Sequence, residues 1–512
     1  MRANCQFKFL TKIVILILCG CIYSIELSAQ FKNNVWCFGD SALIDFTSGV
    51  PVSGVSSLDT RGSCISISDT NGDLLFYGNT RAGIGNPSGL LWNKVNQLML
   101  NGDSIAGSGW YHELVIVPNP ADDSLYYLFS IGVTYSIGLL YSIIDMKGDN
   151  GLGAVIQKNI PLLGSIRMVD CLTAIKHGNG RDWWVIGRES TFHLGTSNNS
   201  WYVYLISPSG ISNIAIQNIG SLNGTNSGRL SFSSASNKLC FVSLPGLLEL
   251  YDFDRCSGII SNPLNIEPVP PGAPYPYYWS SEFSQSGRYL YVTSSTVNGI
   301  LWQYDTWASN IAASKTLIWQ MTFPPATIGS VKRGPDNKIY LSCAWNDSTN
   351  SNNYPYPPTA YYTENMNLSV INSPDSAGAA CDFQPWSFYL GGKRTYWGLP
   401  NNPDYDLPAL VGSPCDTLVS QNELAGAAAI GSLHVYYHPA WEKAFINASN
   451  LKGKTGKLLV YDIQGKVVHS EPLRIQNGYY TRDLSMIGRA DGVYLVVVET
   501  ELERLVKKML IE

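Results

Sequence analysis

The side chains that could do chemistry in this 512-residue chain are few and scattered. Phe38-Gly39-Asp40-Ser41 sets a hydroxyl beside an acid at a glycine turn. A serine so placed can attack a carbonyl if a histidine oriented by an acid takes its proton and donors await the oxyanion. None of the six histidines follows an aspartate by three residues, so the local partner is missing and the motif reads as a strand-end turn. His112-Glu113 stands directly before the apolar run Leu114-Val115-Ile116-Val117. A histidine there could bind metal or act as a base, but one at a strand start is more often a hydrogen-bonded structural residue. His177 and His193 are the other histidines ahead of the tail, and Arg188-Glu189 reads as an ion pair or a solvated turn. Asp69-Thr70-Asn71-Gly72-Asp73 is as rich in oxygens as a calcium loop, yet lacks the twelve-residue spacing with a distal Glu. Asn-Gly is a strong hairpin signal, so a tight turn is the better reading. With no Cys-x-x-Cys and no Cys/His cluster at zinc spacing, neither metal nor cofactor is expected.

Recognition has more material. Pro270-Pro271-Gly272-Ala273-Pro274-Tyr275-Pro276-Tyr277-Tyr278-Trp279 and Asn352-Asn353-Tyr354-Pro355-Tyr356-Pro357-Pro358 are stiff loops dense in flat amphipathic rings. Such rings lose little entropy on binding and can stack on sugars or grip a protein surface. Tyr275, Tyr277, Tyr278, Trp279, Tyr354 and Tyr356 are therefore the candidate ligand-binding residues, with packing over strand edges as the bland alternative.

The elements that must position these residues are strands. Charged residues make up 14% of the chain and its net charge is −5, so no basic stripe exists for a phosphate backbone, and nucleic acid is not an expected partner. The 30 Tyr, 14 Trp and 47 Gly suit half-buried strands joined by tight turns. One unit recurs: a short strand, a turn of Gly, Asn, Asp or Ser, then a strand of aromatic and β-branched residues. Its turns fall at Gly72, Ser124, Gly180, Asn237, Gly287 and Asn337, giving steps of 52, 56, 57, 50 and 50 residues. That period is near the ~50 residues of a kelch-type propeller blade. Stacking such sheets radially buries the faces between neighbours, and closing the ring removes exposed ends. The expected fold is all-β: a β-propeller over 30–402, seven blades preferred and six the alternative, followed by a small C-terminal β-sandwich. Val35–Phe46 at one end and Trp386–Leu390 at the other would combine into the seventh blade.

Residues 1–29 carry Arg2, Lys8 and Lys12 ahead of the apolar run Ile13–Leu18 and reach a small residue at Ala29, as a secretory signal peptide does. No other stretch has the ~18 consecutive apolar residues of a membrane helix, so no transmembrane segment is expected in the mature chain. Three of the 11 cysteines lie in that signal. The other eight allow 105 pairings, and their spacing selects none. Cys64, Cys171, Cys240 and Cys343 sit in strand-like runs and read equally well as small buried hydrophobes. Residues 403–432 lack strand alternation and read as a linker. Beyond them, apolar and polar positions alternate in strand-length runs with turns at Gly453-Lys454, Gln464-Gly465, Asn477-Gly478 and Asp491-Gly492.

From Tyr437-His438-Pro439-Ala440, through Leu458–Tyr461, Asp462, Gly465 and Val467-Val468, to Gly492-Val493-Tyr494, Val498 and Lys507-Lys508, the segment 433–512 resembles the type A C-terminal sorting domain of the type IX secretion system. Tyr437-His438-Pro439-Ala440 stands where that family usually shows Tyr-Pro-Asn-Pro. The resemblance implies a β-sandwich recognised by the secretion machinery, with Tyr461, Asp462, Gly465, Gly492, Tyr494, Lys507 and Lys508 as its motif positions. It further implies a protein secreted or held at the outer cell surface. Trp36-Cys37-Phe38-Gly39, followed by Ser68–Tyr77, is similar to the start of secreted propeller-like cargo. Phe38–Ser41 also matches the first block of GDSL-type esterases, whose later Asp-x-x-His block is absent here.

The expected function is a secreted or cell-surface propeller that binds a glycan or a surface protein. Two alternatives remain: an extracellular polysaccharide hydrolase or lyase using channel carboxylates such as Asp170 and Glu282, and a non-catalytic structural surface protein.

Overall fold

The computed structural model describes residues 31–80, 89–295, 299–321, 326–345, 354–416, 432–438, 442–449, 451–475 and 480–511. The expected signal at 1–29 lies outside them. Each of the six recurring hairpins forms as the period demands, and each is the first two strands of a separate antiparallel sheet. A seventh sheet precedes them, built from Val35–Phe38, Asp40–Asp45 and Val52–Asp59. The first strands of the following sheets are Cys64–Ser68, Leu114–Pro118, Thr173–Lys176, Gly228–Phe232, Tyr278–Phe283 and Ala326–Arg333. These strands approach one another from sheet to sheet and so surround a common axis.

Burial follows distance from that axis. Cys64–Ser68 is buried at every position and Leu114–Val117 likewise, because both faces of an inner strand are covered by neighbouring sheets; Leu114–Val117 is accordingly apolar throughout, and Cys64–Ser68 carries only the small polar side chains of Ser66 and Ser68. The outermost strand Phe383–Tyr389 has only exposed and half-buried positions. The ring closes where Trp36, Phe38 and Phe46 of the first sheet pack with Tyr340, Leu368 and Val370 of the last. The seventh blade is therefore not the composite expected from Val35–Phe46 and Trp386–Leu390. Val35–Asp59 supplies a whole sheet, and Trp386 to Tyr389 belongs to the outer strand of the last one.

The larger departure is at 394–416. Residues 403–416, expected as the start of a linker, continue a strap that fills the middle of the ring. The strap begins beside the first sheet, where Arg394 donates through Nε and Nη2 to Asp40 Oδ2 at 2.8 and 2.6 Å. A Cβ on Gly39 would collide with the Arg394 carbonyl, and Gly39 has φ +62°, so the glycine of the Gly-Asp-Ser triplet serves this close approach. Further along, Trp397 O accepts from Ser330 N, Asn401 N donates to Cys64 O, and Asn401 Nδ2 donates to both Leu114 O and Leu172 O. Tyr405 donates to Ile116 O, Lys176 donates to Tyr405 O, and Lys332 donates to Asn402 O. Arg229 of a fifth inner strand donates to Asn401 Oδ1, and a segment bonded to five inner strands must lie on the axis. It runs from the end where inner strands begin to the end where they finish. Leu410 N then bonds Gly178 O, and a disulfide joins Cys415 to Cys256 across a sequence separation of 159. The other six cysteines described, Cys37, Cys64, Cys171, Cys240, Cys343 and Cys381, are free and buried.

The tail forms two facing sheets, one of three strands from Ser432–His438, Lys443–Ser449 and Tyr480–Ser485, and one of four from Thr455–Tyr461, Val467–Arg474, Gly492–Thr500 and Arg504–Ile511. Ile446, Leu458, Val460, Val496, Val498 and Met509 form its core, each from the inward face of a strand. At the hairpin Tyr461–Lys466, Asp462 Oδ1 accepts the N–H groups of Gln464 and Lys466, and Gly465 takes φ +81°. Tyr494 is buried and donates to Ala490 O, whereas Lys507 and Lys508 point outward on the last strand. The expected turn Asn477-Gly478 and Pro439-Ala440 lie outside the described residues.

Candidate functional site

The two ends of the axis carry different chemistry. At the end where inner strands begin, loops from several sheets and the strap bring aromatic rings together. Tyr111 packs edge-on against Trp279 at 4.4 Å and Trp397 at 6.3 Å, and Arg61 lies over both Tyr111 and Trp397 at 5.0 and 5.5 Å. Tyr356 stacks on Tyr396 at 4.0 Å, Tyr354 meets the same ring edge-on at 5.0 Å, and Trp345 stacks on Tyr362 at 3.8 Å. Both proline-rich loops thus contribute to one aromatic mouth.

The six sequence-predicted residues divide within it. Trp279 and Tyr354 are half-buried there, Tyr277 is 40% exposed, and Tyr275 meets Tyr277 edge-on at 6.2 Å. Tyr278 and Tyr356 are corrections: at 1% and 4% exposure neither ring can meet a ligand. Tyr278 begins an inner strand, so alternation turns it inward, where its hydroxyl donates to Glu267 and receives Lys315 Nζ at 2.8 Å. The Tyr356 hydroxyl donates to Thr395 O at 3.1 Å and accepts from Trp345 N at 2.9 Å, tying the loop to the strap. Sequence reading missed Arg61, Trp110, Tyr111, Trp345, Tyr396 and Trp397. Their signal was weak: one arginine and aromatics in ones and twos at strand ends or in loops, in no longer run of their own.

Beneath the aromatic mouth lies a buried polar layer. Glu113 accepts from Thr80, Ser108 N and Gly109 N, and burial pushes its carboxyl up to about 7. Asp170 accepts the backbone N–H groups of Tyr111 and His112, and burial together with Glu113 holds its carboxyl well above the usual range. His112 does reach the axis, but its Nδ1 is 3.9 Å from Asp170 and neither ring nitrogen has a hydrogen-bond partner. Burial and the nearby Arg229 guanidinium hold it well below its ordinary value, hence neutral. Glu282 sits at the far end of its inner strand, with its oxygens on the N–H groups of Phe283 and Arg333. The two channel carboxylates therefore bind backbone at different levels of the axis, with Arg229 and Asn401 joined between them.

Other readings resolve as structure. His177 Nδ1 accepts Asn179 N and its Nε2 bonds Cys256 O, both at 3.0 Å, and His193 is exposed in a short turn. Arg188 is neither a surface ion pair nor a solvated turn. It is 1% exposed, lies over Trp201 and Phe241 at 4.8 and 4.6 Å, and donates to Asn198 O and Ser221 O. Ser41 donates to Asp40, and Asp69 Oδ1 accepts from Asn71 N and Asp73 N in a tight turn.

The opposite end of the axis opens into a cavity of about 390 Å³ beside the strap, with charged, polar and apolar side chains on its wall. Arg229, Lys332 and Arg333 line it with Glu282, Asp404 and Asp406, and serines of the Phe232–Ser236 turn complete the wall. Burial lowers Lys332 to about 8.

Known proteins match this chain in two ways. Residues 434–512 match the family described as a secretion system C-terminal sorting domain. No curated protein matches the chain. Among solved structures, a putative 6-phosphogluconolactonase from Bacteroides fragilis is similar at 10% identity and TM-score 0.43, over 71% of this chain and 96% of that one. The periplasmic gluconolactonase of Pseudomonas aeruginosa is similar at 10% identity and TM-score 0.35, over 83% and 100%. The Swd1 β-propeller domain of Myceliophteria thermophila is similar at 10% identity and TM-score 0.34, over 61% and 93%. At these scores the likeness adds nothing to the topology, which rests on the strand pairing itself. No helix among the described residues is long and apolar enough to cross a membrane. With its tail a sorting sandwich and its body a ring of seven sheets, the chain is a type IX secretion cargo with a propeller body, exported to the outer surface or beyond.

Proposed function

We propose that the exported propeller is a binding module that takes a glycan or a surface protein on its aromatic mouth. The observation that carries this reading is the convergence of both proline-rich loops on one end of the axis. There Trp110, Trp279, Trp345 and Tyr354 are half-buried, and Tyr277, Tyr361 and Tyr362 are exposed, with Arg394 over the Tyr361 ring. Rings already braced by neighbours lose little entropy on binding, and their faces suit the C–H surface of a sugar or an apolar protein patch. Binding is favoured over hydrolysis because the strap occupies the channel and the carboxylates on its wall already accept backbone N–H groups. The test is binding of the mature chain to a glycan array and to isolated cell-surface protein. Trp345→Ala is expected to weaken capture by about tenfold, and turnover of a polysaccharide panel that vanishes in Asp170→Asn would replace this reading with the hydrolytic one.

A further inference from the structure

The cavity at the other end of the axis belongs to neither the aromatic mouth nor the sorting domain. Its inner wall holds two cations in an unusual state. Arg229 and Lys332 are each 7% exposed, and their hydrogen bonds go to neutral oxygens, Asn401 Oδ1 and Asn402 O. Glu282, whose field reaches both, has its oxygens on backbone N–H groups. Arg333, on the same wall, donates through Nη1 to the neutral oxygens Gln285 Oε1 and Asn337 Oδ1, and its nearest carboxylate, Asp404, is 3.9 Å away. Arg229 Nε, Arg333 Nε and Asn402 Nδ2 are buried donors with no partner. Buried charge is ordinarily paired, because desolvation of an isolated ion is costly. Here the carboxylates Asp404 and Asp406 stand on the solvent side of the cavity and the cations stand inside, and loss of hydration together with Asp404 pushes the Asp406 carboxyl up to about 7, so it carries less than a full negative charge at neutral pH.

We propose that this cavity is a binding site for a small oxyanion carried on a hydroxylated body, the chemistry of a sugar acid or a sugar phosphate. Arginine forks match the planar or tetrahedral oxygens of a carboxylate or phosphate, and Lys332 adds a point charge beside them. Ser234, half-buried on the cavity wall, donates to Ser284 O and leaves its hydroxyl oxygen to accept from the remainder of the ligand. The volume falls in the range of small-molecule pockets, roughly 300–1,000 Å³.

The test is calorimetric titration of the folded mature chain with glucuronate, glucose 6-phosphate, inorganic phosphate and neutral glucose. Saturable binding of a uronate or a phosphate at roughly millimolar concentration or below, absent for glucose and weakened about tenfold or more by Lys332→Met, is the expected result. The uronate and phosphate arms separate the two sources. Because Lys332 also braces the strap, Arg333→Gln on the more open side of the wall serves as the second variant and is expected to weaken binding in the same direction. No saturable binding of any anion, or anion binding that neither substitution changes, overturns the proposal. Both outcomes are independent of what the aromatic mouth binds.

Discussion

At one end of the propeller axis the rings brace one another and leave edges and faces open to solvent; at the other, cations are sealed behind a strap while carboxylates stand near the rim. The same seven-fold arrangement of inner strands underlies both ends. The difference comes from which loops reach the axis. Long connections carrying Trp and Tyr converge where inner strands begin, whereas tight five- or six-residue turns with Ser, Asn and Gly border the opposite end. Long loops can supply a surface for a large ligand, and short turns leave a small cavity. The strap passes through both and makes the ring's stability depend on its own far end.

Substitutions separate the two ends by what they change. The largest effect is expected at the strap itself. Tyr405 is fully buried, packs edge-on to Trp183 at 5.6 Å and bonds Ile116 O, so Tyr405→Ala should cost about 3–5 kcal/mol in denaturant unfolding without altering capture at the aromatic mouth. Loss of aromatic-mouth binding in a still-folded Tyr405→Ala protein would show that the two ends are coupled.

Opening the lock should come next. Cys415→Ser frees the strap from the Cys256 turn and relaxes a long closed loop, an expected loss of about 2–4 kcal/mol by the same measurement.

The buried acid Glu113 gives a smaller, pH-dependent effect. Its folded pKa, raised to about 7, exceeds its unfolded value, so its contribution to stability is fully present below the unfolded value and is lost as pH rises through about 7. Neutral His112 works in the opposite sense, since a lowered folded pKa makes stability grow as pH rises toward its ordinary value. The clean readout is therefore a difference. The stability of Glu113→Gln relative to the parent should rise between pH ~5 and pH ~7.5 by on the order of 1–3 kcal/mol. A flat difference would mean that Glu113 does not hold its proton there.

The smallest effect on stability is expected at the aromatic mouth. Trp345 is half-buried and its ring rests on exposed Tyr362, so Trp345→Ala should shift the unfolding free energy by only about 1 kcal/mol while weakening ligand capture. An equal loss from both would assign these rings to packing alone.

The parts legible in the sequence were those whose signal is local. Ile65 and Ile67 alternate with Ser66 and Ser68, and Asn71-Gly72 turns the chain into Leu74–Tyr77, a pattern that admits a hairpin and little else; five repetitions of that unit at similar steps fix a ring of sheets. The sorting domain was legible for the same reason: Asp462-Ile463-Gln464-Gly465 is a turn written within four residues, and Gly492–Thr500 is a strand written within nine. The first blade was misread because Val52–Asp59 has a mostly polar face and does not announce itself as a strand.

What the sequence by itself determined is therefore the set of strands and hairpins, their stacking into a propeller, and the export tail. Only the tertiary structure decided that 394–408 fills the axis, that Cys256 pairs with Cys415, that Tyr278 and Tyr356 turn inward, and that buried cations gather at one end. Those facts depend on contacts such as Asn401 with Leu114 and Leu172, separated by 287 and 229 residues. No periodicity spans such distances. Pro403-Asp404-Tyr405 carries the composition of a loop, and only the closed ring, with its inner carbonyls and donors facing an otherwise empty channel, gives that loop a reason to be buried.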